Sequence, residues 1–115
     1  SGELQLPSQG GAAAPAAVSR VVELKHMLAE QDLQDDQEYK EILEDTREEC
    51  SQFGALREVI IPRSGEAGAT KIFLEYVSSD DAAKAIQALA GRTFDGRKVE
   101  AAYFDEGRYN NKDYV

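Results

Sequence analysis

The sequence has no tryptophan, one cysteine, one histidine, one methionine and three prolines in 115 residues. Each scarcity closes a route. A lone cysteine, Cys50, cannot close an internal disulfide, which fits a reducing compartment, and it is read as a small buried helix residue. One cysteine with one histidine makes no zinc set, and "DLQDDQEYKEIL" lacks the glycine and spacing of an EF-hand calcium loop, so no metal is expected. His26 is read as a satisfied residue of the first strand rather than a base. No Ser/Cys–His constellation, phosphate-cradling glycine loop or pair of acids in contrasting environments appears, and the chain is read as neither an enzyme nor a cofactor carrier. No apolar run reaches membrane-spanning length, and no basic-then-apolar signal segment is present. At this length one modest core is the limit.

Positive charge is the other scarcity. Thirteen basic residues stand against 22 acids, a net charge of -9. The excess is concentrated: from residue 29 to residue 50 ten acids face only Lys40 and Arg47, a net of -8. Such a field attracts cationic partners and repels nucleic acid.

Residues 1–17, "SGELQLPSQGGAAAPAA", are small and Pro/Gly-containing, and are read as a flexible linker that opens with a cloning remnant at Ser1-Gly2. On that reading the domain, residues 18–115, comes from the end of a longer protein. "SRVVELKHML" has the alternation of a strand, with Val22 and Leu24 on one face. An acidic helix follows, its apolar stripe formed by Tyr39, Ile42, Leu43, Thr46 and Cys50, with Gly54 as its stop. "LREVIIP" and "TKIFLEYV" read as the second and third strands around the turn-rich "RSGEAGA". "SSDDAAKAIQALAG" reads as a second helix, opened by Ser78 and Asp81 and closed by Gly91. After an Asp95-Gly96 turn, "RKVEAAYF" is the fourth strand, and "DEGRYNNKDYV" is a short helix or loose chain. The order β-α-β-β-α-β is the split βαβ pattern: an α+β, ferredoxin-like domain, a four-stranded antiparallel sheet with two helices on one face.

Two stretches hold the candidate site. At about 100° per residue, Glu41, Asp45 and Glu49 form a stripe bordering the buried face of the first helix. A charge run usually solvates an exposed face, and the macrodipole accounts for Asp35, Asp36 and Glu38 at the start of that helix. It does not account for Asp45, Glu48 and Glu49, which crowd the end where the dipole disfavours anions. The second stretch is "GRTF", residues 91–94. By position alone Phe94 fits a core role better than a ligand platform, and Arg92 fits a counter-ion to a helix acid.

The topology is that of RNA-recognition motif domains, and "ATKIFLEY" stands where their RNP1 octamer belongs. Phe73 keeps one base-stacking position, but Lys71 takes another and Glu23, in "VELKHM", replaces the third. With "LQDDQEYKEILEDTREECSQFG", "VIIPR", "KIFLEY", "GRTF" and the closing "YNNKDYV", these departures make the chain resemble the U2 auxiliary factor homology motif. That is an RNA-recognition fold converted to peptide binding. Within it the resemblance is to the third, C-terminal domains of large auxiliary-factor subunits.

The resemblance implies a protein–protein module of a nuclear pre-mRNA splicing factor, acting in 3′ splice-site and branch-point recognition. Its ligand would be a short basic, tryptophan-containing segment of another splicing factor: the branch-point-binding protein, or the large scaffold subunit of the SF3b complex. The tryptophan would enter between the helices and pack on Phe94, with Arg92 paired to Glu49 and with Glu41, Asp45 and Glu49 facing the ligand's cations. It also implies a C-terminal helix across the sheet. RNA would bind weakly or not at all, and with no tryptophan of its own the domain would be a monomer. The rival reading is RNA binding through the sheet, with Lys25, Lys71, Arg97 and Lys98 on phosphates and Phe73 stacking one base.

Overall fold

The computed structural model describes residues 17–94 and 96–114; of the expected linker only Ala17 falls among them. Val21–Lys25 forms β1, Asp36–Cys50 α1, Leu56–Ile60 β2, Ile72–Tyr76 β3 and Ser79–Leu89 α2. Thr93–Phe94 (β4) and Arg97–Lys98 (β5) make a small hairpin, followed by Glu100–Phe104 (β6) and Glu106–Asn110 (α3). Antiparallel pairing builds one sheet in the order β2-β3-β1-β6, which is the expected topology.

Strand alternation divides the buried residues between two faces. Val22 and Leu24 of β1 join Ile72, Leu74 and Tyr76 of β3 in the main core under the helices. Val21 and Phe73 point the other way, into a smaller cluster with Phe104 and Tyr109. Register sets Glu23 opposite Phe73 on one side and Ala102 on the other.

The Asp35 carboxylate caps α1 by accepting the Glu38 N–H at 2.8 Å. Tyr39, Ile42, Leu43 and Cys50 pack that helix on the main core. The Tyr76 hydroxyl donates to the Cys50 carbonyl at 2.8 Å, joining the Phe53 N–H on an acceptor with no partner inside the helix. The helix stops at Cys50, not at Gly54. Gly54 serves packing instead: a Cβ there would lie 2.4 Å from the Asp81 side chain, which accepts the Ala55 N–H at 3.2 Å. In α2 the Ser78 hydroxyl accepts the Asp81 N–H, and Ala82, Ala85 and Leu89 are buried. Gly91, at φ +83°, takes the left-handed position just beyond the helix, as expected of it.

Two further expectations need correction. The fourth strand is broken at Val99, because its N–H donates to the Arg92 carbonyl and its carbonyl accepts from the Gly91 N–H. Val99 therefore pairs with the chain leaving α2 and not with the sheet. His26 lies beyond the end of β1 at φ +74°, its Nε2 3.1 Å from Glu100 Oε1.

The tail is ordered into a strap. Asp105 caps α3 by accepting the Arg108 N–H. Glu106 is clamped by the Arg20 backbone N–H and guanidinium at 2.8–3.1 Å. The rings of Phe104 and Tyr114 each lie 4.8 Å from that of Phe73.

Candidate functional site

The sheet face that carries base-stacking rings in RNA-recognition domains is occupied here. Phe73 is fully buried beneath Phe104, Tyr109 and Tyr114. Lys71 Nζ sits 3.0 Å from Glu23 Oε2, so the two residues that replace stacking aromatics neutralise each other. The Tyr109 hydroxyl donates to Glu58 at 2.6 Å, holding the strap to the β2 edge, and burial with that carboxylate pushes the Tyr109 phenol upward.

The other face is covered by the helices, and the gap lies in that helical layer. A cleft of about 790 Å³ lies between α1, the β1–α1 connection, and the chain from the end of α2 to Val99. Leu28, Ile42, Cys50, Ile72, Leu89 and Val99 give it an apolar floor. That volume is within the range of sites that hold one large apolar group. Burial, with Glu49 beside it, pushes the Cys50 thiol up to about 12, so the sulfur is a neutral, soft contact and not a nucleophile.

The rim is acidic. Asp45 and Glu49 line the cleft, and Arg92 lies across from them with Nη1 3.7 Å from Glu49 Oε2. Glu41 is placed elsewhere: it is exposed, accepts from Gln37 Nε2 at 3.1 Å and is not among the residues lining the cleft. Glu38 and Asp32 take part instead. The helical wheel that aligned Glu41, Asp45 and Glu49 also sets Glu38 at roughly 60°, between the last two, so the signal was present. Asp32 lies in the single 3-10 turn Glu30–Leu33 ahead of α1, where its side chain accepts the Ala29 N–H, and the periodicity of α1 could not have found it. Glu38 and Asp45 make no ion pair among the described residues, leaving both charges for a cation from outside.

Phe94 follows directly on Thr93, a lining residue, and its backbone pairs with Arg97. Its ring, and Asp95, lie outside the described residues. Among the described residues no group of three or more His, Cys, Asp or Glu is arranged to hold a metal ion, and no helix is long and apolar enough to cross a membrane.

The profile of the RNA recognition motif matches residues 43–100. The chain is 42% identical over 106 residues to a large subunit of the splicing factor U2af from Nicotiana plumbaginifolia, covering 87% of this chain and 18% of that protein. It is 41% identical over 104 residues to a U2af large subunit from Arabidopsis thaliana, covering 86% and 18%. The chain thus spans about a fifth of the length of these relatives. Among solved structures it is similar to the RNA15 RRM, with a TM-score of 0.56, 19% identity, and 82% of this chain and 99% of that one covered. The N-terminal three RNA-binding domains of the yeast splicing factor Prp24 match with a TM-score of 0.55 at 19% identity, over 82% and 36%. At that identity the likeness is one of fold. The chain belongs to the RNA recognition motif family.

Proposed function

We propose that this domain is a U2 auxiliary factor homology motif, the third and C-terminal one of a large auxiliary-factor subunit, and that it binds peptides rather than RNA. Its ligand is a short basic segment of another splicing factor with a tryptophan at its centre, drawn from the branch-point-binding protein or the SF3b scaffold subunit. The indole enters the cleft and packs on the apolar floor and on Phe94. Asp45, Glu49 and the neighbouring Glu38 receive the ligand's lysines and arginines, and Arg92 holds Glu49 at the rim. Glu41, one turn before Asp45 on α1, adds its charge beside that stripe without lining the cleft. The parent protein works in the nucleus, in recognition of the branch point and 3′ splice site.

The observation that carries this reading is the apolar cleft with unpaired carboxylates at its rim. Magnitudes divide the work. A truncated buried tryptophan anchor typically costs about 2 kcal/mol or more, whereas a rim ion pair contributes about 0.2–1 kcal/mol and is screened by salt. Affinity therefore comes from the ring, and rate and selectivity come from the acids. A ligand that orders on binding fits a Kd in the micromolar to high-nanomolar range.

Chemical-shift mapping tests the site. A basic tryptophan peptide should move the amides of Ile42, Thr46, Cys50, Leu89 and Thr93, and pyrimidine-rich RNA should move none of them or those of β1 and β3. Peptide-induced shifts confined to β1 and β3, or RNA shifts there at micromolar concentration, would favour the rival reading.

A further inference from the structure

Among the described residues Ser19 and Thr46 are buried polar side chains. Ser19 is fully employed: its hydroxyl donates to the Phe104 carbonyl at 2.6 Å and accepts the Val21 N–H at 3.0 Å. Thr46 is not. It is only 9% exposed, it lines the cleft, and its hydroxyl has no hydrogen-bond partner among the described residues. A threonine inside a helix ordinarily bonds back to a carbonyl one turn earlier. A valine would fill the same space on an apolar floor without an unmet polar group. In the free protein only solvent entering the cleft can meet that hydroxyl, and a ligand that fills the cleft must replace this hydrogen bond or leave the hydroxyl unpaired.

A hydroxyl can donate one hydrogen bond and accept two, so it can meet an acceptor or a donor; the floor of Ile42, Cys50, Ile72 and Leu89 asks that this group be carried on a large apolar body. An indole is such a group, a donor-only N–H on an apolar ring. We propose that Thr46 is the specificity-determining residue of the cleft: its Oγ1 accepts the ring N–H of the ligand's indole and so selects an indole over rings of the same size without a donor. A site built to hydrogen-bond its ligand rejects the analogue lacking that group, because its own polar atom is then left unpaired. This rests on the cleft being the peptide site.

The test is a four-way titration calorimetry cycle: wild type and Thr46→Val, each against a basic tryptophan peptide and the same peptide with benzothienylalanine, an isosteric ring lacking the N–H. Wild type should prefer tryptophan about tenfold, and Thr46→Val should bind the two peptides within about twofold of each other. Without ligand, Thr46→Val should melt at or above the wild-type temperature. An equal preference in both proteins, no preference in wild type, or a lower melting temperature would each overturn the assignment while leaving the peptide cleft intact. A tryptophan-to-alanine peptide that binds wild type undiminished would instead overturn the cleft reading, and this assignment with it.

Discussion

Lys71 and Glu23 form a 3.0 Å ion pair on the sheet face, with side chains only 23% and 13% exposed. Neither is replaceable alone. Lys71→Ala strands a largely buried carboxylate, so the urea midpoint should fall by the equivalent of about 1–3 kcal/mol. Restoring an apolar pair, Lys71→Met with Glu23→Leu, should recover most of that loss. A neutral effect of the single change would show that the pair is not structural.

The C-terminal strap should be acid-sensitive through Glu106. Hydrogen bonds from the Arg20 side chain, then from its backbone N–H, hold that carboxyl below its ordinary value. A group depressed on folding contributes stability above its unfolded value, near 4.3, which is lost as pH falls through the folded one. Urea midpoints should therefore decline below about pH 4.5. Asp36, held down by Arg63, adds to the same decline. Glu106→Gln should lower the midpoint at pH 7 and flatten the acid limb. Parallel pH profiles for the two proteins would remove Glu106 from the account.

Cys50 should be inert. With its thiol pushed up to about 12, the native protein at pH 8 should react with a disulfide reagent at least a hundredfold more slowly than the unfolded chain. Reaction at the rate of a free thiol would mean that the cleft floor opens readily to solvent.

Much of the fold was legible because it rests on periodicity. Val22 and Leu24 announced β1, the Tyr39-to-Cys50 stripe announced α1, and Ser78 with Gly91 bracketed α2. What escaped depends on tertiary pairing. The break at Val99 comes from hydrogen bonds to Gly91 and Arg92 that no local pattern encodes. Gly54 has the look of a helix stop, yet its absence of a Cβ matters for Asp81, 27 positions along. Lys71 and Glu23 were both visible as lost aromatics, but their pairing follows from a register that only the assembled sheet sets. At the cleft, the Arg92–Glu49 pair is the one the resemblance in "GRTF" implies, and Glu38, which the macrodipole explains in the sequence, lines the cleft where Glu41 does not.

Charge at the rim should govern salt dependence. Asp45→Lys should weaken a basic peptide several-fold at low ionic strength, and the difference should shrink as salt is raised past about 0.15 M. A loss that ignores salt would show that Asp45 acts through packing and not through its field.

The central claim meets its most direct test in titration calorimetry of wild type and Phe94→Ala with a basic tryptophan peptide and its tryptophan-to-alanine control. For wild type the expected Kd is micromolar or tighter, weakened at least about thirtyfold by either the peptide change or Phe94→Ala. Equal affinity for the two peptides, with Phe94→Ala binding as wild type does, would contradict it.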